Sequence, residues 1–458
     1  MLATHAHEIR LLAELATAVP LWAAIAAFVV VLRRRDGAIP ALRGLLNHWL
    51  TIVLLAAAGA APLIIALDIS YSAPRDIMQD IVSADQLWQG RTMYPFPMTD
   101  QIRQMLEAQP VRWSLGSVVP ALRAQEVRAY ELAVSQHWVQ AHPPLMTFFV
   151  AIPERLFGAR PTILLMNAVS LASLGLVAWM LANGAGEGRI RPAAIVAIAL
   201  CWYPVQYLVR LGQSGLLLAV LMVAGWYFLR KGNETAAGLA IGFATALKLY
   251  PGLLFVYLLF RARKALLVAA ATAVASLAAI GWIGGWQVFA EYSKTVEFVT
   301  RTYQGYDSNY SLLGAVVAFL GAVGAPESLA RPIFIAMAAA MVLATVALGA
   351  RSRGSDAFYA SLVCLMPLLS PISWQHYWVV LLLPVFLLGR EACREGWRAL
   401  AVFCLLCALL SIPEPVMNEW CFTGLATLCL IVVWGWMATA TGTTAPRAAP
   451  AEARATAV

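Results

Sequence analysis

The sequence predicts an all-α, polytopic membrane protein, and three observations predict it. Apolar residues make up 61% of the 458 residues and charged residues only 12%, where a soluble domain carries about 25% charged residues. Apolar runs near the ~20 residues needed to cross a bilayer recur at 11–32, 49–67, 162–181, 265–282, 332–348 and 422–437. The net charge of +8 concentrates in short loops, as expected where basic residues stay on the cytoplasmic side. That distribution argues against a nucleic-acid partner.

Taken in order, the run at 11–32 reads as a retained helix. Glu8, Arg10 and Glu14 interrupt its start, and no clear cleavage site follows. Six basic clusters come next: Arg33 to Arg35 with Arg43, Arg189 with Arg191, Arg230 with Lys231, residues 261–264, Arg351 with Arg353, and residues 390–398. If all six face the cytoplasm, the amino terminus lies outside. The polar segments 69–142, 212–214, 285–330, 370–376 and 413–420 then lie outside as well. This topology gives about 11 to 13 apolar segments in one membrane domain over 1–440. The remainder, 441–458, is rich in Ala, Thr and Pro and is expected to be a disordered cytoplasmic tail.

Two stretches are too short for a simple crossing. Clusters at Arg230 and Arg261 bracket about 30 residues, where two full spans need about 40. The chain must go in and return, with Lys248-Leu249-Tyr250-Pro251 at the turn. Such broken helices are tolerated where they line a cavity. His142-Pro143-Pro144 likewise opens a short apolar stretch ending near Pro153-Glu154-Arg155, which is expected to dip in rather than cross. The seven cysteines lie mostly in apolar segments. Cys404 and Cys407 have CxxC spacing, but no histidine accompanies them, so metal or redox use is not expected.

The loop 69–142 is the longest polar stretch. Within it, Asp76 to Gln89 has a helical period: Ile77, Ile81, Ala84 and Trp88 form one stripe, and Asp76, Asp80 and Ser83 another. This predicts a helix lying along the membrane surface, apolar stripe down, ended by Gly90. Asp100, Glu107, Glu126 and Glu131, further along, read as solvated surface. Ionisable groups held at a membrane cost free energy unless paired, so Asp76 and Asp80 are candidate functional groups. On the same predicted face lie Gln213 with Arg210, Lys248 at its helix break, Asn309-Tyr310-Ser311-Leu312, and Ser370-Pro371-Ile372-Ser373-Trp374-Gln375-His376.

These residues carry a resemblance. Asp76 followed by Ala84, Leu87, Gly90 and Tyr94 resembles the first-loop signature of glycosyltransferase family 87. His142-Pro143-Pro144-Leu145, Gly212-Gln213 with Leu216 to Leu218, Leu247 to Pro251, Asn309 to Leu312 and Leu369 to His376 resemble further motifs of that family, in order. The chain departs from the pattern at Asp80 and His142, where the family has aromatic residues, and at Gly215, often Asn. The resemblance implies a GT-C-like fold. It also implies inverting transfer of a sugar, mannose or another hexose or pentose, from a polyprenyl-phosphate donor to a glycan or glycolipid acceptor. The site would face outward from the plasma (inner) membrane.

In GT-C enzymes an aspartate of the first external loop is the base; spacing to Ala84 and Gly90 selects Asp76, with Asp80 one turn on as the alternative. The leaving phosphate needs cations or donors, for which Lys248, His376, Gln213 and Arg210 are the candidates. Asn309, Tyr310, Trp374 and His142 are expected in the substrate pocket. Because the donor brings its own leaving group, no cofactor, nucleotide fold or metal site is expected. A lipid-linked sugar flippase or other transporter would share the helix count and a buried lysine, but the sequence has no evident repeated halves.

Overall fold

The computed structural model describes Gly44 and residues 48–440, except 74, 96–97, 109–110, 121–122, 125, 128–129, 132–138, 185–189, 352–355 and 420–422. The apolar run at 11–32, the first basic cluster, Arg189, Arg353, Pro74, Cys421 and the tail 441–458 lie outside the described residues. The described chain is helical throughout, with no strand. In order, its helices are α1 (Trp49–Ser72), α2 (Ile77–Trp88), α3 (Thr99–Ala108), α4 (Pro144–Phe157), α5 (Ala159–Gly184), α6 (Pro192–Leu200), α7 (Tyr203–Leu211), α8 (Gly215–Arg230), α9 (Glu234–Leu247) and α10 (Leu254–Arg261). Then come α11 (Arg263–Gly284), α12 (Gln287–Tyr303), α13 (Leu312–Ala322), α14 (Ala330–Arg351), α15 (Asp356–Leu369), α16 (Leu382–Glu395), α17 (Trp397–Leu409), α18 (Glu414–Glu419) and α19 (Thr423–Ala440).

Among the described residues, five helices are long and apolar enough to cross a bilayer. α6 and α7 make a sixth if counted as one span bent by 71°. The larger number expected from sequence includes seven apolar helices of 10–17 residues, shorter than a full crossing. Large side chains such as Leu267, Val274, Trp282, Ile335 and Leu343 are exposed, as a lipid-facing belt requires. The centre is α15, buried from Phe358 to Leu368, a helix apolar all round and therefore enclosed by others. Trp226, Tyr310, Phe358, Tyr359 and Trp378 fill this core.

The break at Lys248 is where the short-hairpin reasoning puts it. α9 stops at Leu247, Lys248 is extended, and a 3₁₀ turn (Tyr250–Leu253) leads into α10. α4 runs to Phe157, two residues beyond the expected end, and at 14 residues reaches about 21 Å, too little for a full crossing. Basic residues from distant loops meet at one end. Arg230 bonds Asp356, Arg261 donates to the Gly349 carbonyl at 2.7 Å, and Arg390 lies close enough to sense Asp356 and Arg230. The 16-residue α8 separates Arg230 from Gly215 by about 24 Å. Three of the clusters grouped by sequence, at Arg230, 261–264 and 390–398, are thus grouped in space, at the end of α8 away from Gly215.

The surface-helix expectation for α2 is corrected. Every residue from Ile77 to Ala84 is buried, because α4 covers the apolar face and the chain at 139–142 covers the polar one. Gln79 Oε1 accepts the Ala141 amide at 3.1 Å. Asp80 accepts from Gln140 Nε2 at 2.9 Å and contacts His142 Nδ1 at 2.8 Å. Gln79 and Asp80 on the polar side are thus satisfied by protein groups. Glu126 is corrected likewise: only 4% exposed, it accepts the Gly116 amide at 3.1 Å and pairs with Arg123 at 3.2 Å.

α9 and α11 pack through Gly238 and Gly242, four residues apart. A Cβ on Gly238 would sit 2.6 Å from the Ala265 carbonyl oxygen, and one on Gly242 would strike the Ala269 carbonyl. Small residues at this spacing let membrane helices approach backbone to backbone. Gly242→Leu is expected to destabilise the protein by about 1–3 kcal/mol through overpacking. The measure is an earlier thermal unfolding transition of the purified protein; an unchanged transition would mean the two helices are not in close contact.

Candidate functional site

A cavity of about 340 Å³, within the 300–1,000 Å³ usual for ligand sites, lies where several helix breaks meet. Its walls come from six segments: Arg75, Asp76 and Gln79; Val139, Ala141 and His142; Tyr203, Tyr207, Arg210 and Leu211; Val299, Tyr303, Tyr306 and Ser308; Trp374, His376 and Tyr377; and Glu414, Pro415 and Asn418. Four of the polar segments grouped on one face by sequence, 69–142, 285–330, 370–376 and 413–420, therefore contribute to one cavity, with Arg210 and Leu211 from just before the fifth.

Gly212, just behind the wall, sets the position of the Asp76 carboxylate. α7 ends there in a left-handed turn with φ +69°, the Gly212 amide bonding Val209 and the Gln213 amide bonding Leu208. This helix ending favours glycine, which has no Cβ to strain. A Cβ would also lie 2.8 Å from Ile77 Cγ2 in the first turn of α2. That closeness brings Gln213 to Asp76: its Nε2 donates to Asp76 Oδ2 at 2.9 Å. Asp76 stands at the start of α2 but its side chain does not cap the helix. Asp76 lines the cavity. Asp80, one turn on, does not; it is 1% exposed and committed to His142 and Gln140. His142, held at Nδ1, is itself part of the wall.

Positive and donor groups face the same space. Arg210 and His376 line it, as does Arg75, whose Nε is buried without a hydrogen-bond partner. Both ring nitrogens of His376 are buried and unpartnered; Tyr377, Tyr207 and Trp374 hold the ring, with centroids at 4.7, 5.7 and 5.7 Å. Lys248 stands one layer back, its Nζ 4.1 Å from the centroid of the Tyr377 ring, a cation–π contact.

Asn309 and Tyr310, expected in the pocket, instead brace its walls. Asn309 Nδ2 donates to the Pro371 carbonyl at 3.1 Å, and its Oδ1 accepts the amides of Ser373 at 3.0 Å and Ser311 at 3.2 Å. The Tyr310 hydroxyl donates to Asn418 Oδ1 at 3.1 Å, while Asn418 Nδ2 donates to Ser308 Oγ at 2.7 Å. Trp374 lies on the wall. Sequence reasoning missed Arg75, Tyr203, Tyr207, Tyr303, Tyr306 and Glu414. Trp202-Tyr203-Pro204 was the usable signal for two of them, since proline at the first turn of α7 marks a helix restart. Glu414 lies within the external segment 413–420 but has no helical period to single it out.

Asn309→Ala should therefore act on stability. It leaves the buried Ser373 and Ser311 amides without their acceptor, at a cost of about 1–3 kcal/mol for an unsatisfied group. Thermal unfolding should shift down. An unshifted transition together with a substrate-binding defect would return Asn309 to the pocket.

Comparison with known proteins bears on what such a cavity is for. The model of glycosyltransferase family 87 matches residues 141–371, half of the chain; Asp76 and Asp80 precede the matched segment and Glu414 follows it. A polyprenol-phosphate-mannose-dependent alpha-(1-2)-phosphatidylinositol mannoside mannosyltransferase of Mycobacterium tuberculosis is 27% identical over 271 residues, 56% of this chain and 60% of that protein. The protein of the same description from Mycolicibacterium smegmatis is 34% identical over 212 residues, 42% of this chain and 45% of that protein. The chain thus matches less than two thirds of either relative. No solved structure matches it significantly. With its central half matched, and with the Gly-Gln turn and the Lys248 break both inside that half, the chain belongs to glycosyltransferase family 87.

Proposed function

We propose that this protein transfers a mannosyl group from a polyprenyl-phosphate donor to a hydroxyl of a glycan or glycolipid acceptor, by single displacement with inversion, on the extracytoplasmic face of the plasma membrane. The observation that carries the reading is one cavity containing both kinds of group the reaction needs. Asp76 is a carboxylate anchored through Oδ2 alone. Arg75, Arg210 and an imidazole with two unpartnered nitrogens stand in the same cavity.

The steps balance without a further reagent. The acceptor hydroxyl gives its proton to the Asp76 carboxylate as its oxygen bonds to the anomeric carbon. The bond from that carbon to the phosphate oxygen breaks, and its electron pair leaves with polyprenyl phosphate. Arg75, Arg210 and His376 lie where donors can meet the charge that develops on the phosphate. Lys248 adds its charge from behind Tyr377. Asp80 orients His142 and does not itself receive the proton. The relatives' descriptions name polyprenol-phosphate-mannose as donor and a phosphatidylinositol mannoside as acceptor, which supports a mannose-bearing glycolipid as acceptor here. The basic clusters gathered at the far end of α8 support an outward-facing cavity.

Purified protein should transfer mannose from polyprenyl-phosphate-mannose to a mannosylated glycolipid. Asp76→Asn should lower turnover about 10²–10⁴-fold, the usual contribution of a positioned base, with donor binding retained, whereas Asp80→Asn should keep measurable turnover. Transfer only from a nucleotide sugar would overturn the reaction class. Full turnover by Asp76→Asn would remove Asp76 from the chemistry.

A further inference from the structure

The cavity holds a second carboxylate that the reaction above does not use. Glu414 opens α18, in the segment that follows α17, and lines the cavity with Asn418 one turn later. Its Oε2 is buried and has no hydrogen-bond partner. Burial pushes the Glu414 carboxyl above its ordinary range, while hydrogen bonding from Tyr207 and Ser308 and the charge of Arg75 act the other way. A buried carboxylate oxygen without a donor keeps an unmet desolvation cost. An incoming ligand that supplies a donor would relieve it.

The chemistry of that ligand can be narrowed. A phosphodiester is anionic and is repelled by a carboxylate, so Glu414 does not serve the leaving group. A neutral polyol suits it, since hydroxyls donate to a carboxylate in charge-assisted bonds. The neighbouring wall is aromatic: Tyr303, Tyr306 and Trp374 stand in it, Tyr303 packing edge-on against both others at 5.5 and 5.8 Å. Such rings accept the apolar face of a pyranose. Glu414 and Asn418 come from the short helix α18 and Ser308 from the segment between α12 and α13, whereas His376 comes from the 3₁₀ turn Gln375–Leu381, with Lys248 behind Tyr377.

We propose that Glu414 is the binding residue of an acceptor subsite, taking hydroxyls of a neutral hexopyranose that stacks on the Tyr303, Tyr306 and Trp374 wall, with Asn418 holding Ser308 beside it. This rests on the transferase reading given above. Glu414 binds the acceptor sugar away from the reacting hydroxyl, which belongs to Asp76.

The probe is octyl α-D-mannopyranoside, titrated into the purified full chain and used as acceptor with polyprenyl-phosphate-mannose. Glu414→Gln should weaken glycoside binding and raise the acceptor KM at least about tenfold, the loss of a charge-assisted hydrogen bond, with the donor KM unchanged. Glu414→Asp provides a second variant if the first does not fold, and should also raise the acceptor KM. Equal glycoside affinity in wild type and a folded variant would overturn the subsite, as would a rise in the donor KM alone. If wild type transfers from no polyprenyl-phosphate sugar, the reaction assigned above fails. The binding titration still decides the subsite: glycoside affinity lost with Glu414 supports it, and affinity unchanged sinks it.

Discussion

The hydrogen bond from Gln213 to Asp76 is the interaction on which the arrangement of the site depends. It joins the end of α7 to the start of α2, two points 137 residues apart in sequence. It exists because Gly212 turns left-handed and leaves no Cβ against Ile77. A carboxylate inside an apolar bundle is tolerated only with partners. Here the partner is a neutral amide on one oxygen, which orients the group without neutralising it. A cation in that position would have made Asp76 a settled ion pair and a poor proton acceptor.

The same logic extends to the backbone. The cavity walls begin at interruptions: residues 73–76 between α1 and α2, Cys201-Trp202 between α6 and α7, Gly212 to Ser214 before α8, and the stretch after α15 up to the 3₁₀ turn Gln375–Leu381. Within a membrane, broken helices leave backbone polar groups that only protein or a wet cavity can satisfy. Asn309 shows how this is done. One side-chain amide answers two amides and a carbonyl from the two loops it joins. Gln375 donates to the Ile412 carbonyl at 2.6 Å and so ties the third loop to the second. The loops that line the cavity are thus held by side chains, since they lack a helical ladder of their own.

Much of this was legible in the sequence, and the limits have physical causes. The helix breaks were visible because Pro, Gly and lone polar residues interrupt apolar runs; Lys248-Leu249-Tyr250-Pro251 is the clear case. The gathering of Arg230, Arg261 and Arg390 at one end was visible because charge is costly to leave in lipid. The burial of α2 was not visible. An amphipathic period says that one face is polar, and it does not say whether water or protein satisfies that face. Its partners, Gln140 to His142, lie some 60 residues away, and no local pattern announces them. Asn309 and Tyr310 looked like pocket residues for the same reason: a polar motif at a loop marks a site and its scaffold alike.

Asp76 and Asp80 show how two carboxylates one turn apart can meet different surroundings. They sit one turn apart on one helix, and sequence left both open. Asp80 meets an imidazole at 2.8 Å and an amide at 2.9 Å, one on each oxygen, at 1% exposure. Both oxygens are used, and no substrate can reach them. Asp76 has Gln213 on Oδ2 and the cavity in front of it. A proton acceptor needs an oxygen that substrate can approach within hydrogen-bond distance. The four-position step from Asp76 to Asp80 leaves one carboxylate facing the cavity and the other in the packing against Gln140 and His142. Through His142, which belongs to the cavity wall, Asp80 still fixes the shape of the space that Asp76 faces.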